Sequence, residues 1–467
     1  MNRDTFRART LKQTPRVNQP WGLLTVLFVA ALITRAAKLW WAFPSNGWID
    51  LSFGFELGHV AYNLSTENGF SSPFQDGNAP TAWFMPLVPL LWAFIFEISG
   101  AFSITSLVTI YGIDTFIFAL TTILYASIAG QTATTNRTLI TLAVATVQII
   151  APVHLVSLTR PWYWQFQSLG VAAMIYAALK WGEEMTLRRA TMFGWVTGVT
   201  LLVNSVPLLL FGALLVTIIY SSPDRQRALR GAILAVICTV GILAPWIIRN
   251  YVAFGVFIPL RQNTWVEIRQ GNHPRGDIIQ GSLSRHPNLN PTELNLYTTI
   301  GEMRYESLAG QETREYIRGH LWITGKRTMV RALFFWLADL FHEGIYGDRT
   351  WRDKSWFERA RDIWVFGWAT IPPLLFVTAL RYGWMTSSRG MWPFLCALAV
   401  LPVPYYLSHI HPVYFSAVKP MLLVATTKAL FGVMTDTVTR TTGNEWMQLS
   451  RRTSAAQTSA VSTSAIH

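Results

Sequence analysis

The sequence predicts an all-α, polytopic membrane protein, and three observations carry that prediction. Half of the chain (51%) is apolar and only 13% is charged, with 21 Trp, a balance foreign to a soluble domain of 467 residues. The apolar residues fall in runs of roughly 20, the length that crosses a hydrocarbon core of about 30 Å. The basic residues behind a formal net charge of +13 lie between those runs, where they mark the cytoplasmic side of a membrane and give no reason to expect nucleic acid.

The first 20 residues hold Arg3, Arg7, Arg9, Lys12 and Arg16. A basic start before an apolar run also fits a signal peptide, but the run from 21 to 43 is too long and reaches Trp40 and Trp41 with no small-residue cleavage site. It reads as a retained helix with a cytoplasmic N-terminus. Further clear runs cover 104–129, 138–157, 163–181, 231–248, 363–380, 391–408 and 416–433.

Two segments are ambiguous. Residues 83–99 are interrupted by Pro86 and Pro89, and 194–220 are broken at Asn204-Ser205-Val206-Pro207. If each crosses as one helix, Lys180, Arg188 and Arg189 fall outside, against the charge rule. Reading 83–99 as re-entrant or interfacial, and 194–220 as a hairpin of two half-helices, returns that patch to the cytoplasm together with Arg225, Arg227 and Arg230. A broken helix at membrane depth is tolerated only where it is buried or lines a cavity, so Asn204 is expected to face inward.

The resulting organisation is a cytoplasmic tail (1–20), an N-terminal transmembrane module (21–248) with a first outer loop at 44–82, an extracytoplasmic segment (249–362), C-terminal transmembrane helices (363–433) and a Ser/Thr-rich cytoplasmic tail (434–467) that reads as disordered. Cys238 and Cys396 lie in apolar runs and offer neither a disulfide framework nor a metal site. No internal repeat is evident.

The first outer loop has an unusual charge pattern. From Pro44 to Ala82 the charged residues are Asp50, Glu56, Glu67 and Asp76, with no Lys or Arg. Placed on a helix, 54–67 aligns Leu57, Val60, Ala61 and Leu64 as one apolar stripe and puts Glu56, His59 and Asn63 on another face, with Asn68-Gly69 as a stop signal. This describes an amphipathic helix along the outer membrane surface; on periodicity alone Glu56 reads first as a solvated polar-face residue.

These residues carry a resemblance. An acid on a juxtamembrane helix, then NLSTENGFSSPF (63–74) and PTAWFMPLVPLL (80–91), is similar to the first loop of GT-C fold glycosyltransferases, in the branch of protein mannosyltransferases and aminoarabinose transferases (family 39-like). APWIIRNYVAFGVFIPLRQN (244–263), GN (271–272), GEMRY (301–305) and PYYLSHIHPVYF (404–415) extend it over most of the chain to about 433. The resemblance implies a GT-C-like helical bundle with juxtamembrane helices in the first outer loop and a mostly helical outer segment. It also implies a transferase that takes a polyprenyl-phosphate-linked sugar to a glycan, lipid or protein acceptor on the outer face. The expected location is a bacterial plasma (inner) membrane, multi-pass.

In better-known branches the catalytic acid falls at position 53, which here is Phe; Glu56 lies one turn later and Asp50 one turn earlier. Glu56 is therefore the first candidate base and Asp50 the second. A sugar phosphate needs one carboxylate, to accept the proton of the attacking hydroxyl, because phosphate already leaves well. Positive charge must meet that phosphate, and the candidates are Arg249, Arg261, His411 and Lys419, with Arg35 and Lys38 near the end of the first helix as similar groups. His59, Asn63, Asn263 and Asn272 are the candidate substrate-binding residues. His409 and His411 lack a third ligand at metal spacing, so no metal residues are assigned and no cofactor is required; a divalent cation is left open. Relatives carry Arg in the late loop where this chain has Val413 and Phe415. Two other classes fit the composition: a lipid or solute transporter or flippase using Asp114 and Asn204, and a non-catalytic member of an envelope-assembly complex.

Overall fold

A computed structural model describes residues 21–45, 53–74, 79–133, 136–151, 162–274, 285–337, 354–382, 390–410, 414–415 and 418–431. Among these the chain is helical, with a single isolated bridge between Ser71 and Pro80 and no strand. Asp50, His411 and Val413 lie outside the described residues, as do both tails.

The N-terminal module comprises α1 (Trp21–Ser45), α2 (Glu56–Ser65), α3 (Leu87–Ser99), α4 (Ile104–Gln131), α5 (Arg137–Ile150), α6 (Trp164–Glu183), α7 (Leu187–Val203), α8 (Pro207–Ser221) and α9 (Arg225–Phe254). Then follow α10 (Thr264–Gly271), α11 (Pro291–Ile300), α12 (Glu302–Gly319), α13 (Leu321–Phe335), α14 (Trp356–Arg381), α15 (Trp392–Val400), α16 (Val403–Leu407) and α17 (419–431).

Among the described residues, four helices are long and apolar enough to cross a membrane: Trp21–Trp40, Ile104–Gln131, Arg225–Phe254 and Glu358–Arg381. The other expected runs are shorter or more polar. The run at 138–157 is helical to Ile150, with 152–157 outside the described residues, and 391–408 is divided at Leu401-Pro402. The run at 163–181 forms the 20-residue α6, whose apolarity is lowered by Gln165, Gln167 and Ser168. All three are buried within the bundle, where a helix shielded from lipid can carry polar groups.

Packing resolves the second ambiguous segment. Phe193 of α7 and Phe211 of α8 bring their rings to 5.4 Å, which requires the chain to fold back at Asn204. α7 then runs parallel to α9, with Gly194 against Ala235 and Cys238, and Gly198 against Ile242. A Cβ on Gly194 would stand 2.3 Å from the Ala235 carbonyl oxygen, so only glycine permits this approach, and Thr239 Oγ1 donates to the Gly194 carbonyl at 3.0 Å. The hairpin collects Lys180, Arg188, Arg189, Arg225, Arg227 and Arg230 at one end of the bundle. Asn204 faces inward as expected and donates to Gln167 Oε1 at 2.6 Å.

At the opposite, loop-bearing end, α3 has 13 residues, about 20 Å at 1.5 Å per residue and short of a bilayer core. It packs on α2 through Phe53, Trp92 and Phe96. A second core unites these elements with the segment after α9, through Leu57, Val60, Trp83, Val266, Tyr297 and Tyr305. α13 follows at the end of that segment. That helix exposes Trp322, Met329 and Leu333 on one side and buries Arg331 and Phe335 on the other, the pattern of a helix lying at a membrane interface.

Candidate active site at the loop-bearing end

The chain before α2 is strained. Phe53, Gly54 and Phe55 take φ of 50°, 74° and 55°, so three successive residues sit in the left-handed region, where only glycine is at ease. Packing holds them: the Phe53 ring is fully buried, with Phe96 at 5.2 Å and Phe102 at 5.7 Å. Position 53 is thus an aromatic anchor, and the carboxylate falls on the next turn. Glu56 opens α2 with its side chain 13% exposed, and Leu57, Val60 and Ala61 bury the apolar stripe the sequence predicts. The helix closes through the Asn68 amide donating to the Asn63 carbonyl at 2.9 Å, with Gly69 at φ 72°.

Three groups from distant segments converge on Glu56. His286 Nε2 lies 3.3 Å from Glu56 Oε1. Glu267 on the first turn of α10 and Arg261 just before it act on the same carboxyl group. Burial pushes the Glu56 carboxyl up to about 8, the neighbouring charge of Glu267 pushes the same way, and Arg261 opposes both. Around Arg261, burial works against the charge, but Tyr163, Glu267, Tyr405 and Tyr414 outweigh it and hold the guanidinium firmly protonated. His409 Nδ1 stands 3.7 Å from Glu267 Oε2, and its Nε2 lies 3.2 Å from the Tyr414 hydroxyl.

The scaffold for Glu267 is built from α12. Glu306 accepts from the Trp265 amide at 2.6 Å and the Val266 amide at 3.1 Å, capping the otherwise open start of α10. Asn263 sits at that N-cap and donates to Glu267 Oε1 at 3.2 Å, while its buried Oδ1 finds no partner among the described residues. Arg269, buried at the other end of α10, bonds to Glu293, Glu312, Tyr305 and the Arg285 carbonyl, and so positions the segment that carries His286.

The remaining candidates take other places. Arg249 donates to the Thr81 carbonyl at 2.6 Å and to the Phe70 carbonyl, with Phe70 and Trp246 against its guanidinium, so it ties the first loop to the end of α9. Asn63 is buried and donates to the Ser72 carbonyl at 3.0 Å, bracing the same loop. His59 packs its ring on Phe55 and Phe102. Asn272 donates to the Leu407 carbonyl at 2.8 Å and accepts from Arg331, which also bonds the Ser408 carbonyl. Lys419 is buried with its ammonium 5.7 Å from the Phe415 ring centroid. Of the expected set, the structure therefore brings Glu56, Arg261 and Asn263 together, and adds Glu267, His286 and His409. Among the described residues, no group of three or more His, Cys, Asp or Glu could hold a metal ion.

Among the described residues, a helical architecture and four membrane-length helices define a polytopic membrane protein. No protein-family profile and no curated protein matches the chain. One solved structure to which it is similar is the archaeal oligosaccharyltransferase AglB from Archaeoglobus fulgidus in complex with an inhibitory peptide and a dolichol-phosphate, at TM-score 0.48 and 12% identity over 91% of this chain and 51% of that one. The chain spans about half the length of that structure.

Proposed function

We propose that this protein is a GT-C-like membrane glycosyltransferase that moves a sugar from a polyprenyl-phosphate donor to an acceptor on the extracytoplasmic face of a bacterial plasma membrane. The observation that carries the reading is the junction of a largely enclosed, high-pKa carboxyl group, Glu56, with the partly buried guanidinium of Arg261, where the bundle meets its loops. The hairpin at Asn204 supports the orientation, because it leaves the basic ends of α7 and α9 on the opposite, cytoplasmic side. The quoted motifs fit the same reading, with the acid displaced by one turn.

In this mechanism the acceptor hydroxyl attacks the anomeric carbon while Glu56 takes its proton. The bond from the anomeric carbon to the phosphate oxygen breaks, and the electron pair leaves with the phosphate. Arg261 meets the developing charge in a site where burial strengthens the interaction. One displacement inverts the anomeric centre. Asn263 and His409 flank Glu267 beside this carboxyl group and suit sugar hydroxyls, while Arg249 and Asn272 brace the segments around it. Asp50 and His411, the second candidate base and a candidate phosphate ligand, lie outside the described residues, and the exposed apolar face of α13 lies on membrane lipid.

The test is sugar transfer by purified protein from a panel of polyprenyl-phosphate sugars. Wild type is expected to form product and Arg261→Gln to lose it while keeping its helical circular-dichroism spectrum. A folded wild type that transfers from no donor overturns the reading.

A further inference from the structure

Glu56 has an unusual neighbour in His286, which belongs to a turn far along the chain. The imidazole is buried between two aromatic side chains, with ring centroids 5.7 Å from Phe74 and 6.0 Å from Trp83, each near perpendicular. The turn itself is closed by the Leu289 and Asn290 amides, which donate to the His286 carbonyl at 3.0 and 3.1 Å. Within that box both ring nitrogens have defined partners. The Asn288 amide donates to Nδ1 at 3.2 Å, so Nδ1 must offer a lone pair. A neutral imidazole that accepts at Nδ1 carries its hydrogen at Nε2, and Nε2 is the atom 3.3 Å from Glu56 Oε1.

We infer that His286 is a positioning residue for Glu56: a neutral imidazole, fixed as the Nε2–H tautomer by the Asn288 amide, donates to Oε1 and leaves Oε2 to accept the substrate proton. This rests on Glu56 being the base. The arrangement reverses the familiar carboxylate–histidine pair, since here the carboxylate does the chemistry and the imidazole orients it. Burial keeps the ring neutral, pushing His286 down to about 4, with His409 and Arg269 adding to that and Glu267 and Glu293 opposing it. The charges that bear on Glu56 itself are Glu267 and Arg261. A donated hydrogen bond favours the ionised carboxylate, so losing it should raise the pH at which Glu56 becomes a base.

The direct experiment is nitrogen NMR of ring-15N-histidine protein in lipid bilayers, with the His286 signal identified by its loss in His286→Gln. Expected is a neutral Nε2–H ring from pH 5 to 8 whose Nε2 signal moves in Glu56→Gln. An Nδ1–H tautomer, an imidazolium at pH 6, or a signal indifferent to Glu56→Gln overturns the inference, whatever the protein catalyses. The kinetic arm uses the polyprenyl-phosphate sugar panel. His286→Phe should lower kcat roughly 10- to 100-fold, in the usual range for losing one positioned polar group, and displace the rising limb of the pH profile upward. His286→Gln, which retains a donor near Nε2, should restore much of both. Equal loss in both variants with an unmoved pH limb reduces His286 to a packing residue. A wild type without transfer defeats the functional reading and leaves the NMR arm to judge His286.

Discussion

Glu302 and Thr81 meet across 221 residues of chain: the Thr81 hydroxyl donates to Glu302 Oε2 at 2.5 Å, and the neighbouring Ala82 amide donates to Oε1 at 2.7 Å. The Tyr297 hydroxyl completes the set at 2.8 Å. Since Arg249 holds the Thr81 carbonyl from α9, one short stretch of the first loop is gripped from two sides. The PTAW sequence thus serves as the hinge pin between the loop that carries Glu56 and the segment that carries Glu267 and His286.

That latch predicts a pH dependence. Burial pushes Glu302 up to about 7 from an ordinary 4.5, with the bonds from Thr81, Ala82 and Tyr297 opposing. A carboxyl group whose folded pKa is raised binds its proton more tightly when folded, so its contribution is fully present below about 4.5 and is lost as pH rises through 7. Hydrogen exchange at 80–85, corrected for intrinsic rate, should therefore show weaker protection at pH 8 than at pH 5. Glu302→Gln should flatten that dependence, and Glu302→Ala should cost about 1–3 kcal/mol by stranding buried donors.

Gly271 gives a second, purely steric prediction. A Cβ there would lie 1.4 Å from the Ser408 carbonyl oxygen and 2.0 Å from Arg331 Nη1, so the late loop and α10 touch backbone to backbone. Gly271→Ala should destabilise the protein by about 1–3 kcal/mol or more, read as a fall in Tm in detergent. Gly241→Ala, with nothing within 4 Å, is the control and should leave Tm unchanged or higher.

Arg35 and Asp114 make a buried pair at 2.5 Å between α1 and α4. Breaking it from one side leaves an uncompensated charge, so Asp114→Leu should cost about 3–5 kcal/mol, while the double change Arg35→Met with Asp114→Leu should recover most of it. Thermal unfolding of the two variants decides this. Recovery would also mean that Asp114 is an internal strut, which removes the main candidate for a polar transport path.

Much of the fold was legible because it follows from local rules. Apolar runs marked the helices, the Asn204-Pro207 break marked a hairpin, and basic residues marked one end. Where polar α6 departed from the expected span, burial inside the bundle had relaxed the demand for apolarity. The site was only partly legible. Glu56 stood out as an acid on the polar face of a loop helix without Lys or Arg, and Arg261 through the IPLRQN stretch, whereas Glu267 and His286 gave no periodic signal, since their role depends on contacts hundreds of residues apart. Arg249 and Asn272 attracted notice by motif, and the structure shows what the motif does locally: each bonds backbone carbonyls that join segments. Glu302 lay within the quoted GEMRY stretch, yet only folding reveals Thr81 as its partner.

Arg261 should be intolerant of its nearest chemical substitute. A planar guanidinium set among Tyr163, Tyr405 and Tyr414 can present two N–H donors to a phosphate, which an ammonium cannot do. Arg261→Lys is expected to lower kcat/KM for a polyprenyl-phosphate sugar by about 10- to 100-fold, corresponding to one lost charge-assisted bond, with steady-state kinetics as the measurement.

The central claim is that Glu56 is the base, and the pH dependence of sugar transfer by wild type and Glu56→Gln tests it most directly. With the carboxyl group held near 8 by burial and by Glu267, kcat/KM for wild type should rise from pH 6 and level off above about 8. Glu56→Gln, nearly isosteric, should fold normally and lose transfer by at least about 100-fold across that range. A Glu56→Gln protein that transfers at the wild-type rate, or a wild-type profile flat from pH 6 to 9, would contradict the account.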